Sequence, residues 1–395
     1  MQTYLDKFDC TLTMDEILKK WNEWWVYGKV PEGRTRVMRN KLLESAMKLV
    51  PSKEIVAITG VRRSGKSTLL YQMMGQLIKN GAFPKNILYF NFDEPLQQTS
   101  VSALDAVYSS FLELNNPKGR QYIFLDEVQN IPQWERWMKT NYDLKGNNVK
   151  FIITGSNTTM LSSELSKLLS GRMIIKTVFP LSFAEFLDFR NVKITDADFQ
   201  KQEIKHYLAE YAKIGGFPEA VMENDENVNR QRLKEYFDSI LMRGIVITRK
   251  IRETAKLSEL SQYVFANIAS PLSYNKISKA IGLNINTLKE YLHFMEQAYL
   301  IIQVNFFSYS LKESISIQKQ RKIYCIDNRL QNAGTSTFSK DTGKLVENLV
   351  LNELKRRGSE VYYWKGQKEV DFIVKDGNQL VAINVSYEDA PKARE

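Results

Sequence analysis

The chain of 395 residues has two cysteines and two histidines. Cys10 and Cys325 are too few and too far apart for a disulfide framework or a thiolate zinc site. His206 and His293 alone exclude a histidine-rich metal centre. No apolar run reaches the roughly 18–20 residues that a membrane-spanning helix needs. The N-terminus, MQTYLDKFDC, is polar and lacks the apolar core of a secretory signal. No membrane is therefore expected as a partner, and the expected location is cytoplasmic.

What is present is an ordinary globular composition, 43% apolar and 25% charged, in a length that holds two or three domains. The formal charge of +10 is a mild positive surplus. It suits a polyanion such as nucleic acid, or solubility alone, and composition leaves both open.

The informative stretch is residues 55–74. Ile55-Val56-Ala57-Ile58-Thr59 is a β-branched apolar run of the kind that forms a central parallel strand buried on both faces. It leads into Gly60-Val61-Arg62-Arg63-Ser64-Gly65-Lys66-Ser67-Thr68, and an apolar helical pattern opens at Leu69. Strand, glycine loop and helix make the context a phosphate-binding loop requires. Gly60 and Gly65 let the backbone wrap and aim its N–H groups at a phosphate, and the helix N-terminus adds a favourable dipole. Lys66 is expected to bridge the β- and γ-phosphates of ATP, and the Ser67 hydroxyl to hold Mg2+.

Further strand patterns follow at residues 86–92, 122–125, 150–154 and 173–179, alternating with helical stretches. This predicts an α/β fold with an open parallel sheet and its ligand at the C-terminal strand ends. Tyr122-Ile123-Phe124-Leu125 ends in Asp126-Glu127, where Asp126 is expected to hold the Mg2+ shell and Glu127 to polarise the attacking water. An ordinary acidic strand end is the plainer alternative. The 150–154 strand runs into Gly155-Ser156-Asn157, and Asn157 or Ser156 is a candidate to hold that water near the γ-phosphate.

The set GVRRSGKST, FLDEVQ, IITGSN and LSGRM followed by PLSFAEF resembles the archaeal and bacterial AAA-type ATPases of the extended AAA+ superfamily. The resemblance covers nearly the whole chain. It implies a P-loop ATPase core at residues 51–181, behind an N-terminal helical segment at 1–50. A helical lid at 182–270, a winged helix at 271–330 and a PD-(D/E)XK nuclease-like domain at 331–395 are implied to follow. It also implies that Arg172 is an arginine finger or phosphate sensor, acting in its own subunit or on a neighbour. A surface arginine at a strand start is the alternative. In the lid, Gly215-Gly216-Phe217-Pro218 matches a turn that packs on bound nucleotide in wider relatives, so Phe217 and Pro218 are expected to cover the adenine. A plain helix–helix turn is the competing reading. Gly244 departs from the arginine–aspartate–isoleucine usual in relatives.

Ser273 to Ile281 reads as a capped helix closed by Gly282-Leu283, and Asn286 is expected to cap a second helix reaching Gln297. With the β pattern at residues 300–304 they make a winged helix-turn-helix. The exposed side of the second helix would present Asn286, Thr287, Lys289, Glu290 and His293, a weakly basic face for double-stranded DNA. Docking of a protein partner stays open beside DNA, and an oligomer is compatible with the family.

An amphipathic helix over residues 343–354 and strands at 360–364, 369–374 and 379–385 place Glu347 and Asp371 as in PD-(D/E)XK nucleases. Active relatives carry glutamate–x–lysine on the last strand. Here Asn384, Val385 and Ser386 stand there, so Mg2+ binding and water activation are expected to be lost. The domain is expected to be catalytically inactive and, ending at Glu395, incomplete. Three functions follow from this reading. An Mg2+-dependent ATPase moving a winged helix on DNA comes first, a slow nucleotide switch that gates assembly with a protein second, and an ATP-gated nuclease last.

Overall fold

A computed structural model describes residues 13–93, 100–156, 168–196, 200–310, 320–330, 342–377 and 379–386. Two compact units emerge, Met1–Thr59 with Gly65–Val178, and Gly60–Ser64 with Phe179–Glu395.

The first unit is built on a five-stranded sheet of β1 (Ile55–Thr59), β2 (Ile87–Asn91), β3 (Gln121–Asp126), β4 (Val149–Gly155) and β5 (Met173–Thr177), in the order β2-β3-β4-β1-β5. Every pairing is parallel. β1 and β4 are buried at every position, as central strands covered on both faces must be. Successive residues of β1 feed opposite cores. Val56 and Ile58 pack with Leu70, Met73 and Met74 of the helix Lys66–Lys79. Ile55 and Ala57 belong to the cluster of Phe111 and Trp137, from the helices Val101–Asn115 and Trp134–Lys145. This alternation is the period-2 signature of a strand.

β2 lies at one edge of the sheet and is covered by the N-terminal helices. The helix Met14–Trp21 starts with a capping box of Thr13 and Glu16. Just past its end, the Asn22 side-chain amide imitates a neighbouring strand. Its Oδ1 accepts the Tyr89 N–H at 2.7 Å, and its Nδ2 donates to the Tyr89 carbonyl at 2.9 Å. The indoles of Trp24 and Trp25 both donate to the Ile87 carbonyl, at 3.0 and 2.7 Å. The clustered tryptophans thus pack on the sheet and occupy an edge that would otherwise invite pairing.

The second unit begins with helices Phe183–Phe189, Lys201–Ile214, Glu226–Leu241 and Thr254–Ala266, with one wide helical turn at Met242–Ile247. Two helices joined by a short turn follow, Tyr274–Ile281 and Ile285–Gln297. Ser273 caps the first as expected, accepting the Lys276 N–H. The second is capped by Asn284 rather than Asn286, which corrects the sequence reading by two residues. Asn284 holds the extended backbone of a cap, and its Oδ1 accepts the Asn286 N–H at 2.8 Å.

A six-stranded sheet completes this unit. It comprises β6 (Ser270–Leu272), β7 (Ile301–Phe306), β8 (Arg321–Cys325), β9 (Glu360–Lys365), β10 (Glu369–Asp376) and β11 (Gln379–Ile383), in the order β11-β10-β9-β7-β8-β6. β7 pairs with β9 in parallel, Asn305 opposite Tyr362 and Phe306 opposite Tyr363. The segments read from sequence as a winged helix and a nuclease-like domain therefore share one sheet. The helix Thr342–Arg356 lays Leu351 on it, against Val304, Tyr324 and Phe372.

Candidate functional site

Gly60 (φ 140°) and Gly65 (φ 95°) sit in backbone conformations that a side chain would resist, one at each end of the loop after β1. Gly65 is the N-cap of the helix Lys66–Lys79 and brings no side chain to the first-turn N–H groups, leaving the cap open to an anion. Lys66 opens that helix with its side chain buried, its Nζ 3.9 Å from Glu127 Oε1.

Asp126 ends β3 and is wholly buried. Its carboxylate accepts hydrogen bonds from the hydroxyls of Ser67, Thr154 and Tyr89, the last at 2.8 Å. Burial, and then the negative charge of Glu127, push its pKa above the ordinary carboxylate range, while the three hydroxyls work the other way. A carboxylate so placed is short of positive charge. Glu127 has a left-handed backbone (φ 51°), costly for a residue other than glycine. Its N–H is anchored on Thr154 Oγ1 at 2.9 Å, and its Oε2 accepts the Gln129 amide.

The Ser67 hydroxyl and Asp126 carboxylate touch each other, and both are hard oxygen donors. Among the described residues no group of three or more His, Cys, Asp or Glu is arranged to hold a metal. A site with so few protein ligands suits Mg2+, which keeps waters and takes phosphate oxygens for its remaining positions. The residues present fit that ion.

The structure thus brings Lys66, Ser67, Asp126 and Glu127 together. Thr68 lies in the first turn of the same helix, and Arg62 is half-buried. Ser64 is buried. Val61 is buried in a core that includes Phe217 and Tyr236, and the exposed Arg63 places its guanidinium 5.4 Å from the Tyr236 ring centroid. Asn157 lies outside the described residues, and Ser156 ends the described part of that segment.

Two expectations need correction. Phe217, expected over an adenine, is wholly buried against Tyr236 and has no surface to offer a base. Pro218 opens the short helix Pro218–Val221, where its missing N–H costs nothing. The glycines before it answer to Asp327, whose Oδ2 accepts the Gly216 N–H at 2.6 Å. Arg172 precedes β5, and its carbonyl accepts the Ile55 N–H at 2.7 Å at the start of β1. That is the N-terminal end of β1, opposite the phosphate loop and roughly 17 Å away at ~3.3 Å per residue. Its side chain pairs with Asp143 at 3.0 Å. Within one chain it does not reach a phosphate on that loop.

Sequence reasoning missed Tyr89, Thr154 and Gln129. Thr154 carried a faint signal as the hydroxyl that follows the apolar run Phe151-Ile152-Ile153.

The model of an AAA domain matches residues 52–187, and two domains of unknown function match residues 205–341 and 342–395. An uncharacterized protein of Methanocaldococcus jannaschii is 35% identical over 355 residues, covering 87% of this chain and 76% of its own length. An uncharacterized protein of Haemophilus influenzae is 30% identical over 363 residues, covering 90% and 88%. Among solved structures, the Walker-type ATPase PABY2304 of Pyrococcus abyssi aligns over 78% of this chain and 97% of its own, at 12% identity and a TM-score of 0.44. No helix among the described residues is long and apolar enough to cross a membrane.

Proposed function

The chain belongs to one family with the M. jannaschii and H. influenzae proteins and carries an AAA-type P-loop ATPase domain, and from that premise we propose that it hydrolyses ATP with Mg2+ and converts the cycle into conformational change. The observation that carries the reading is the meeting of Lys66 with Glu127 and of Ser67 with Asp126 at one end of a parallel sheet. Lys66 is balanced by Glu127. Phosphates entering the loop would draw the Lys66 ammonium to themselves and leave the Glu127 carboxylate to accept a proton from water. Mg2+, when bound, would neutralise charge developing on the phosphates, with Ser67 and Asp126 holding it. Asn157 and Arg172 are proposed as helpers, Asn157 in positioning water and Arg172 only toward a neighbouring subunit.

DNA is the proposed load, on the strength of the two helices Tyr274–Ile281 and Ile285–Gln297 with β7 behind them, read as a winged helix. A specific observation favours a second reading, a slow nucleotide switch that gates assembly with a protein. The exposed positions of the second helix include Asn286, Glu290 and His293, and Lys289 lies over the Tyr274 ring at 5.6 Å, so the face is poor in free cations. The C-terminal strands then serve as a binding module rather than a nuclease.

ATP turnover measured with and without duplex DNA across a salt series separates the readings. Stimulation that fades with salt supports the DNA load, and no stimulation with no salt-dependent binding leaves the switch. Lys66→Ala should abolish turnover, and a variant that still turns over at the parental rate would refute both.

A further inference from the structure

Glu347 and Asp371, the pair expected to hold a divalent ion in a PD-(D/E)XK nuclease, do come together, but around a lysine. Lys322, in β8, is 1% exposed at its side chain. Its Nζ lies 2.7 Å from Glu369, 3.2 Å from Glu347 and 4.0 Å from Asp371, with the Tyr363 ring centroid 5.5 Å away. The carboxylates have further partners. Glu347 accepts the Tyr324 hydroxyl at 2.6 Å, Asp371 Oδ2 accepts the Val385 N–H at 2.9 Å, and Lys365 sits 3.2 Å from Glu369. The exposed Asn384 also joins, its Oδ1 accepting the Asp371 N–H at 3.2 Å.

We propose that Lys322 is the built-in cation of this cluster, standing where a nuclease would hold its metal, and that this part of the fold is secured without a divalent ion. Two ammonium groups face three carboxylates, so most of the charge a metal would neutralise is already balanced. A divalent ion entering among these oxygens would meet a buried ammonium a few ångströms away and would have to expel it. The same burial removes Lys322 from the other role open to it. An amine that activates water must reach water, whereas this one is enclosed by carboxylates and a ring. The residues do not fit the metal, and the reason lies more in Lys322 than in the changes at Asn384 and Ser386. The ATPase reading does not bear on this inference.

Mn2+ binding by the full chain without nucleotide, followed by electron paramagnetic resonance, tests it. The parent chain and Asp371→Asn should bind the same amount of Mn2+, and millimolar Mn2+ should shift the melting temperatures of both by the same amount. Lys322→Ala leaves buried carboxylates uncompensated and should lower the melting temperature by about 5–10 °C. Mn2+ should restore at least half of that loss, and Asp371→Asn in the same chain should abolish the rescue. If Lys322→Ala does not fold, the comparison of the parent with Asp371→Asn decides alone. An Mn2+ site in the parent that disappears in Asp371→Asn, or plasmid cleavage that needs both Lys322 and Asp371, would overturn the proposal.

Discussion

The Thr154 hydroxyl donates to the carboxylate of Asp126, so the end of β4 fixes the charged end of β3. The same oxygen accepts the Glu127 N–H at 2.9 Å and thereby supports the left-handed backbone of that residue. One hydroxyl orients both acidic residues. Thr154→Val keeps the shape and β propensity of the strand and removes both hydrogen bonds. Stability should fall by about 1.5–3 kcal/mol, since the lost bonds involve a charged group and a buried N–H. The ATP dissociation constant should stay within about threefold, while kcat drops on the order of 10–100-fold as Glu127 loses its aim. Thr154→Ser should recover most of the rate. Parental turnover by the valine variant, measured by phosphate release, would separate this network from catalysis.

Arg172 offers a contrasting outcome. Its pairing with Asp143 is half-exposed, at 32% and 40%, and such pairs contribute about 0–1 kcal/mol. The hydrogen bond to Arg172 and the nearby Lys139 hold the Asp143 carboxyl below its ordinary range. Arg172→Ala should therefore barely move the melting temperature. Turnover at protein concentrations where the chain is monomeric should be unchanged, because the residue lies at the end of β1 away from the phosphate loop. A rate deficit that appears only as concentration rises would mark a role toward a neighbouring subunit. A tenfold deficit in the dilute monomer would contradict the geometry described for β1 and β5.

These two residues mark how far the sequence could be read. Gly60 to Ser67 and Asp126-Glu127 were legible because their chemistry is local, with glycine, lysine and acid at fixed steps from a strand end. Trp21, Trp24 and Trp25 crowd into five residues, and aromatics so dense favour packing on a core, as Trp24 and Trp25 do against β2. Thr154 and Tyr89 were not, because their approach to Asp126 depends on the order β2-β3-β4, which no local pattern states. The motif placed Arg172 along the chain, but which end of the strands it occupies depends on the pairing of β5 with β1. Lys322 was silent for the same reason. Its carboxylates lie 25 to 49 residues further on, and meet it through the order β10-β9-β7-β8 and the packing of the helix Thr342–Arg356 on that sheet. Asn284 and Asn286 are equivalent by composition, and only the extended backbone at Asn284 chooses between them.

The Gly215-Gly216 turn yields a third prediction. Gly215 has φ 81° and ψ −168°, a region open in practice to glycine alone. A Cβ there would lie 2.2 Å from Asp327 Oδ1. That carboxylate cannot retreat, because backbone N–H groups of Gly216 and Arg329 hold it at 2.6 and 2.9 Å. At Gly216 a Cβ would meet the Leu181 carbonyl oxygen at 2.5 Å. Either alanine substitution should cost roughly 3 kcal/mol or more, combining backbone strain with a clash in a packed core. Urea denaturation of Gly215→Ala checks this. A loss under about 1 kcal/mol would mean that the turn is not built around Asp327.

Asp327 itself should make stability depend on pH. Burial pushes its carboxyl up to about 6 from an ordinary 3.8, against the opposing pull of the backbone N–H groups of Gly216, Arg329 and Leu330. The folded chain therefore holds this proton more tightly than the unfolded chain. Stability from protonation is fully present below pH 3.8 and is lost as pH rises through about 6. A difference of this size corresponds to on the order of 3 kcal/mol. Asp327→Asn cannot titrate, and at least one of its three facing N–H groups must lose an acceptor, so it should be less stable near neutrality for that reason. Its decisive signature is the slope. Between pH 4 and 6 the parent should lose stability relative to the variant as pH rises, and above pH 7 the gap between them should be constant. Parallel curves across pH 4–6, from denaturant midpoints at each pH, would show that Asp327 is already ionised throughout and that its burial is compensated by the turn that encloses it.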